Sequence, residues 1–594
     1  MKPTRVSFLG EVGLALVIIS SVSLIAFTRF TDPVSYATQF GLAQFHVDSI
    51  LLVGILLLTI GSGTYIFARM RGASSSYDLP FLAVLVVGMV FSVTISRILW
   101  NPLVFLPTLT EPFHLGAVRY ILANGQVSGD VYYHQWPGSF IGLAALSLIL
   151  GATSDQQLVS ATLLLSVVCD VAIVTSIYIF STFFLHSHLK ALVSSMLYLI
   201  TGFFFIFSRS FFDPQFWAWT IFLVLYSCII LSPKISSLSH TIVFTLLGAT
   251  IVTGHAITTV FLGFMMIALV LMGYLMRVKD LTANFGGKLL LYIVLFVAWT
   301  TLGTRVVIVE SENILSLSLG IPFASYVFQT GLGVKGSESV AVPFLVTVLR
   351  YYRIIITMIP IGLSAIFGAG LLIRAKKQRA RIYSAAAFLA LVLFAGFQVT
   401  LLSQALSFWE RVFFLAFPFL AWMSADIISK PRFRRWVAIA PLLGILVASS
   451  FSAAYLPIAF SYTNPELNAA HFVTQSTNMT ATFGVQQVFW EMFTYENPSW
   501  GSNALPLRLD NAYYISPPEF SFNRTQLENY IQQHPTFYTS QIVARSSTEV
   551  ELYYSSLGLS YPEFWGKVDL SLDSAAYNRV YDSSWIQIYS DQGM

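Results

Sequence analysis

Four side chains that can exchange protons or bind anions lie in one short segment of the sequence, namely Glu111, His114, Asp130 and His134. A positioned carboxylate can accept the proton of an attacking hydroxyl group, and such general-base catalysis contributes about 10²–10⁴ in rate. The alternative is structural: Glu111 stabilises the start of a helix and Asp130 lies in a solvated turn. Spacing alone favours this alternative, and the two histidines are only a weak indication of a metal site.

A short helix is predicted to position Glu111. Thr110 is a suitable N-cap, and Asn124–Gly125 is a typical helix stop. Between them, apolar residues recur at helical spacing: Leu115, Val118, Ile121 and Leu122. This pattern predicts an amphipathic helix on the membrane surface, with Glu111 at its positive end near the lipid–water boundary. A carboxylate there can take a proton from a water-soluble acceptor while the lipid tail of a donor stays in the bilayer.

The composition is that of a membrane protein. Of the 594 residues, 56% are hydrophobic and only 10% are charged, and the mean hydropathy is +0.72, whereas soluble domains carry about 25% charged residues. The two cysteines, Cys169 and Cys228, lie in apolar runs, which excludes a disulfide framework and a cysteine-based zinc site. A spanning helix needs about 20 apolar residues, and thirteen spans are predicted: 8–29, 48–68, 79–99, 157–182, 189–207, 215–232, 239–254, 256–276, 288–308, 343–373, 382–403, 412–428 and 436–458.

Basic residues in the short connections predict the orientation of these spans in the cell membrane. With the N-terminus on the cytoplasmic side, the inner connections hold most of the basic residues: Arg69, Arg71, Lys190, Lys234, Arg277, Lys279, Lys288, Arg374, Lys376, Lys377, Arg379, Arg381, Lys430, Arg432, Arg434 and Arg435. Thirteen crossings then place the C-terminal segment outside.

The chain is predicted to divide into a transmembrane domain, 1–459, and an extracytoplasmic domain, 460–594. The second segment holds 5 basic and 13 acidic residues, a net charge of −8, whereas the first has a net charge of +12. Strand-like runs (541–544, 550–554, 585–589) alternate with helical stretches (466–475, 525–533), which predicts a small α/β domain. The outer loop 101–151 is the predicted site of chemistry.

Several short motifs follow one another along the chain: Glu111…Gly125…Asp130…Tyr133…Trp136-Pro137-Gly138, Ser208-Arg209…Asp213-Pro214, Gly254-His255…Thr258, Trp409-Glu410-Arg411…Phe417-Pro418 and Asn578-Arg579-Val580-Tyr581-Asp582. In this order they resemble the GT-C superfamily of membrane glycosyltransferases. The resemblance is closest to the protein O-mannosyltransferase and aminoarabinose-transferase branch, particularly to archaeal members.

The resemblance implies a mostly α-helical membrane bundle that transfers a sugar, with inversion, from a polyprenyl-phosphate donor to a protein or glycan hydroxyl on the outer face. It implies that Glu111, with Asp130, deprotonates the acceptor. It further implies a set of residues that bind substrate or lipid phosphate: Arg411, His255, His114, Tyr133, His134 and Arg209. No cofactor is required by these motifs and a divalent metal is left open. The predicted partners are the donor, the acceptor and the bilayer, with no nucleic acid.

The chain departs from the family pattern in three places. Thr110–Glu111 stands where the family usually has two acidic residues, and two additional spans precede the loop. The Trp-Trp-Asp motif of the oligosaccharyltransferase relatives is missing, and the most similar sequence is Ser499-Trp500-Gly501. The missing motif ranks transfer of a whole oligosaccharide lower.

Structural alternatives remain open for the other candidates. Arg411 would hold a phosphate through its bidentate guanidinium, or it reaches to the membrane interface as many span-end arginines do. His255 lies at a tight turn, where a polar residue need not be functional. Arg209 can pair with Asp213.

Two other classes of function remain as rivals. Asp170 lies near the middle of a predicted span, where a carboxylate is costly; it marks an ion path or bonds to a neighbouring helix. An ion path would indicate a transporter, although the sequence has no internal repeat of the kind common in transporters. The second rival is a non-catalytic membrane scaffold of the same fold.

Overall fold

The structure is a computed structural model. It describes residues 3–30, 49–98, 103–105, 111–128, 134, 136–152, 154–206, 214–231, 237–303, 379–401, 407–428, 462–463, 468–469, 471–472, 475, 483–485, 542–546, 578–583 and 586–590.

Helices make up most of the described chain. They are α1 Pro3–Phe30, α2 Ser49–Met70, α3 Asp78–Ile98, α4 Glu111–Asn124, α5 Gly138–Leu150, α6 Asp155–Leu185, α7 His188–Ile206, α8 Pro214–Leu231, α9 Ser237–Gly254, α10 Ala256–Leu275, α11 Lys279–Ala298, α12 Arg379–Leu401 and α13 Ser407–Ile428. A 3₁₀ turn, Ser75–Tyr77, precedes α3, and a π turn, Trp299–Gly303, continues α11.

The helices agree with the predicted spans wherever both are described. Each predicted span up to 276, and those at 288–308, 382–403 and 412–428, overlaps a helix. The spans predicted at 343–373 and 436–458 lie outside the described residues, so the total of thirteen stays a prediction. Within the described ranges, five segments are long and apolar enough to cross a membrane: Val6–Leu24, Val53–Met70, Gln157–Leu185, Ala256–Leu275 and Phe285–Gly303.

Glycines allow the first two helices to pack backbone to backbone. A Cβ on Gly13 would lie 2.6 Å from the backbone N of Tyr65, and one on Gly61 would lie 2.9 Å from the backbone O of Gly13. Small residues at such crossings are typical of helix pairs in membranes, because close approach supplies the packing energy that the hydrophobic effect does not. The same helix pair packs against α3 and so forms an N-terminal three-helix unit.

A buried ion pair joins this unit to the rest of the bundle. The Asp78 carboxylate accepts hydrogen bonds from Arg69 Nε at 2.7 Å and Nη2 at 3.0 Å, from Tyr65 Oη at 2.9 Å and from Tyr178 Oη at 2.9 Å. The exposed fraction of the side chain is 8% for Arg69 and 0% for Asp78. Because Tyr178 belongs to α6, the network ties α2 and α3 to the helix that follows the outer loop.

A second ion pair joins two helix ends that the charge pattern predicts to lie on the same side of the membrane as Arg69. Lys190 Nζ of α7 lies 2.8 Å from Asp426 Oδ1 of α13. We call this end of the bundle, defined by Arg69, Asp78, Lys190 and Asp426, the ion-pair end. The charge pattern predicts that it faces the cytoplasm.

Aromatic side chains fill the space between α6, α8, α10, α12 and α13. The ring of Trp219 stacks on Phe222 at 4.7 Å, and Phe261 lies edge-on to Phe222 at 5.3 Å and to Phe394 at 5.1 Å. Phe419 completes the cluster at 6.1 Å from Phe261. Edge-to-face pairs of this kind favour a defined packing over a fluid one, so the helices that carry the loops are held on a rigid core.

Short strands connect the loop 101–151 with the C-terminal segment. Strand β1, Leu103–Phe105, pairs antiparallel with β2, Tyr462–Thr463, with Leu103 opposite Thr463. A four-stranded sheet of order β3-β4-β6-β5 follows, made of Phe483–Val485, Ile542–Ser546, Ile586–Ser590 and Asn578–Ser583. The strands predicted at 541–544 and 585–589 are confirmed, the strand predicted at 550–554 lies outside the described residues, and the domain boundary at 459 stays a prediction.

Candidate functional site

The predicted loop helix is confirmed as α4, which begins at Glu111 and ends at Asn124. Gly125 follows with φ +67°, a left-handed conformation that favours glycine at a helix end. One part of the prediction needs correction: Leu115 and Val118 are fully buried in the protein core and do not face lipid. The helix packs against α5, so Glu111 begins a helix that is held by the protein itself.

His134 connects the segment that follows α4 to α4 itself. Its Nδ1 accepts a hydrogen bond from the backbone N–H of Ser128 at 3.0 Å, and its Nε2 lies 2.9 Å from the backbone O of Ala117. Burial lowers the pKa of His134 below the usual value of 6.5. Both ring nitrogens therefore have backbone partners, and this geometry favours a structural role for His134 over binding of a lipid phosphate.

His114 lies on the buried face of α4. The exposed fraction of its side chain is 6%, and its ring lies 5.8 Å from the ring of Phe140 on α5. Phe140 also contacts His134, at 6.4 Å between ring centroids. The two histidines thus share one aromatic neighbour at the contact between α4 and α5.

The turn before α5 lies directly against the turn between α9 and α10. A Cβ on Gly138 would lie 2.6 Å from Thr253 Oγ1 and 3.3 Å from the backbone N of Gly254. Ser139 Oγ donates to the backbone O of Gly254 at 3.4 Å. A side chain at position 138 would require Thr253 to move, and the contact brings together two motifs that are far apart in sequence, Trp136-Pro137-Gly138 and Gly254-His255.

His255 caps the start of α10. Its Nδ1 accepts a hydrogen bond from the backbone N–H of Thr258 at 3.3 Å, and it lies 3.1 Å from Thr258 Oγ1. An N-cap side chain satisfies a backbone donor that the helix itself leaves unpaired. Because Nδ1 accepts from the backbone, the proton of the neutral ring is on Nε2, and that atom is a donor.

The remaining predicted site residues are described only in part. Asp130, Tyr133 and Arg209 lie outside the described residues. Arg411 lies near the start of α13. The side chains of Arg411 and Glu111 are likewise outside the described part of the chain, so their roles stay predictions.

Two features of the structure were not predicted from the sequence. The partners of His134 are backbone atoms of Ala117 and Ser128, and backbone atoms carry no sequence signal. The second is the pairing of Arg69 with Asp78 at the ion-pair end, although their short separation after a predicted span is a signal for it.

Asp170 lies inside the bundle, as predicted. The exposed fraction of its side chain is 2%, and within the described part of the chain its Oδ2 accepts no hydrogen bond. Across the same described ranges, no group of three His, Cys, Asp or Glu side chains lies close enough to hold a metal ion.

No protein-family model matches the chain, and a search of curated proteins finds no match. Among solved structures, the chain is similar to the Archaeoglobus fulgidus oligosaccharyltransferase tethered with an acceptor peptide, at 11% identity and a TM-score of 0.47, covering 87% of this chain and 74% of that chain. It is also similar to ArnT from Cupriavidus metallidurans bound to undecaprenyl phosphate, at 11% identity and a TM-score of 0.46, covering 87% of this chain and 99% of that chain. TM-scores of this size do not establish a shared fold, so the function proposed below rests on residues of the chain itself.

Proposed function

We propose that the chain is a membrane glycosyltransferase that moves a sugar from a polyprenyl-phosphate carrier to a protein or glycan hydroxyl on the outer face of the membrane. One observation carries the proposal: the loop that begins with Glu111 packs through Gly138 against the turn capped by His255. Two of the motifs that resemble membrane glycosyltransferases thereby meet at one end of the bundle. We call this end, defined by Glu111, His134, Gly138 and His255, the loop end.

The carboxylate of Glu111 acts as the base in this proposal. It stands at the first residue of α4, and the partial positive charge of a helix start stabilises a carboxylate there. Glu111, together with Asp130, takes the proton of the acceptor hydroxyl. The hydroxyl oxygen forms a bond to the anomeric carbon while the bond from that carbon to the phosphate oxygen breaks, which inverts the configuration and leaves the lipid phosphate with the electron pair.

The lipid phosphate leaves as an anion and needs donors. His255 supplies one, because its Nδ1 is used by the backbone of Thr258 and its proton is therefore on Nε2. Arg411 supplies the second, with a guanidinium that binds two phosphate oxygens at once. Such positioned donors, aimed at developing charge, contribute about 10²–10³ in rate each.

The acceptor is expected to reach this end from the C-terminal segment. Strand β2 at Tyr462–Thr463 pairs with β1 of the outer loop. The start of the predicted outer domain is thus attached to the loop that carries Glu111, which supports a role for that domain in holding the acceptor.

The test uses purified full-length protein in detergent or liposomes, a radiolabelled polyprenyl-phosphate sugar and membrane acceptors. Glu111→Gln is expected to reduce transfer by about 10²–10⁴, the size of a general-base contribution. Glu11→Gln is the matched control, because Glu11 lies in α1 and contacts Ser7. Undiminished transfer by Glu111→Gln would overturn the assignment of the base.

Asp170 favours a second candidate function, transport of an ion through the bundle. Its carboxylate is buried at the centre of α6 and Oδ2 accepts no bond from the described residues. Substrate flux into liposomes that Asp170→Asn abolishes, together with no sugar transfer from any donor, would decide for this candidate.

A further inference from the structure

His134 has an unusual position for a histidine in an outer loop. Its exposed fraction is 4%, and its ring lies between α4 and α5, edge-on to Tyr120 at 5.5 Å and to Phe140 at 6.4 Å between centroids. Both helices of the loop thus contact one imidazole.

The hydrogen bonds determine the form of this imidazole. Because Nδ1 accepts the backbone N–H of Ser128, it carries no proton, and Nε2 must carry the proton that it donates to the backbone O of Ala117. A ring protonated on both nitrogens would direct an N–H against the N–H of Ser128. The hydrogen bond from the Ser128 N–H therefore exists only with the neutral ring, whereas the bond from Nε2 to Ala117 does not depend on it.

We propose that His134 is a positioning residue that holds the chain leaving α4 against the helix that begins at Glu111, and that sugar transfer requires its neutral form. The catalytic part of this inference rests on the proposed function. Asp130, the second acid of the proposed site, lies between Ser128 and His134 in the sequence, and a hydrogen bond joins these two residues.

The surroundings of the His134 ring determine whether its hydrogen bond to Ser128 is lost or gained as the pH falls. Ring contacts place Tyr120 of α4 beside His134 and His114 across Phe140, and α4 also carries the charged Arg119. Burial lowers the pKa of His134 below 6.5. The hydrogen bond from the Ser128 N–H to Nδ1 is therefore fully formed above pH 6.5 and is lost as the pH falls, because the released ring takes up a proton more readily than the buried ring.

Three variants distinguish the effect of the two hydrogen bonds of His134 from the effect of the packing of its ring. His134→Asn retains an acceptor near the position of Nδ1 and does not titrate. His134→Phe retains the ring and loses both bonds. His471→Asn makes the same change at an exposed histidine elsewhere in the chain and serves as the control.

Hydrogen exchange of the 125–134 peptide and sugar transfer are measured from pH 5 to pH 8, with exchange expressed as protection relative to the free amide. In the wild type and His471→Asn, protection of the Ser128 amide is expected to fall by up to about tenfold per pH unit below pH 6.5, and transfer is expected to fall with it. In His134→Asn, protection is expected not to vary with pH and transfer is expected to lose its acidic limb. In His134→Phe, protection is expected to be lost at every pH and kcat to fall at least tenfold with the KM for the donor little changed.

Equal protection of Ser128 in the wild type and His134→Phe would overturn the bond-based role. Lost protection in His134→Phe with unchanged kcat would overturn the positioning role. If the wild type shows the expected exchange but transfers no sugar, the proposed function fails, its catalytic part fails with it, and the hydrogen-bonded contact stands.

Discussion

The two ends of the helical bundle are held by different kinds of contact. At the ion-pair end, charged side chains pair with each other, Arg69 with Asp78 and Lys190 with Asp426. At the loop end, His134 and His255 form hydrogen bonds with backbone atoms of Ala117, Ser128 and Thr258, and Gly138 lies against Thr253.

This difference suggests that the ion-pair end stabilises the bundle, whereas the proposed reaction takes place at the loop end. A buried ion pair is costly to break once both charges have left water, so it resists rearrangement of the helices that carry it. At the loop end, the hydrogen bonds described for His134 and His255 join neutral groups. In the proposed mechanism, the charge of Glu111 serves proton transfer and that of Arg411 binds a phosphate.

The largest effect is expected at Asp78. Asp78→Ala removes four hydrogen bonds and leaves Arg69 buried without its carboxylate, so the apparent free energy of unfolding in detergent should fall by about 3–5 kcal/mol. The measurement is an unfolding titration of the purified protein. If the double variant Arg69→Met/Asp78→Leu is as unstable as Asp78→Ala, the loss does not come from the unpaired charge and the interpretation is wrong.

The next effect is expected at Gly138. Gly138→Ala would place a Cβ 2.6 Å from Thr253 Oγ1, and overpacking of this size costs about 1–3 kcal/mol. Gly248→Ala is the matched control, because a Cβ there would meet nothing within 4 Å. Thr253→Ala should recover part of the loss in the double variant, and absence of any recovery would contradict the close contact between the two turns.

These two predictions also show which parts of the molecule were accessible from sequence. Apolar runs and a Gly125 stop predicted the helices, because burial in a membrane demands continuous apolar segments. The contact of Gly138 with Thr253 and the bonds of His134 were not predictable, since they join distant segments or use backbone atoms. Of the proposed site, the sequence alone suggested the residue types, and the structure added which of the described segments meet.

A smaller effect is expected at His255, where two variants distinguish a loss of unfolding free energy from a loss of sugar transfer. His255→Ala removes the N-cap of α10 and should cost about 1 kcal/mol of unfolding free energy. His255→Asn should restore that stability, because Asn is a good N-cap, yet it lacks the Nε2 donor. Transfer by His255→Asn should therefore remain about 10²–10³ below wild type, and wild-type transfer would remove His255 from the phosphate site.

The smallest effect is expected at the second ion pair. About a third of the Lys190 side chain and a quarter of that of Asp426 are exposed, at 31% and 25%. Water screens such a pair, so Lys190→Ala should cost at most about 1 kcal/mol. A loss as large as that of Asp78→Ala, measured in the same titration, would show that exposure does not distinguish the two pairs.

The assignment of stability to one end and of chemistry to the other is tested most directly by comparing Glu111→Gln with Asp78→Ala. The rate of sugar transfer is measured at a denaturant concentration well below the unfolding midpoint of either variant. We expect Glu111→Gln to lose about 10²–10⁴ in rate with an unchanged midpoint, and Asp78→Ala to retain its rate with a lowered midpoint. Wild-type transfer by Glu111→Gln, or an equal loss of rate in both variants, would contradict the placement of chemistry at the loop end.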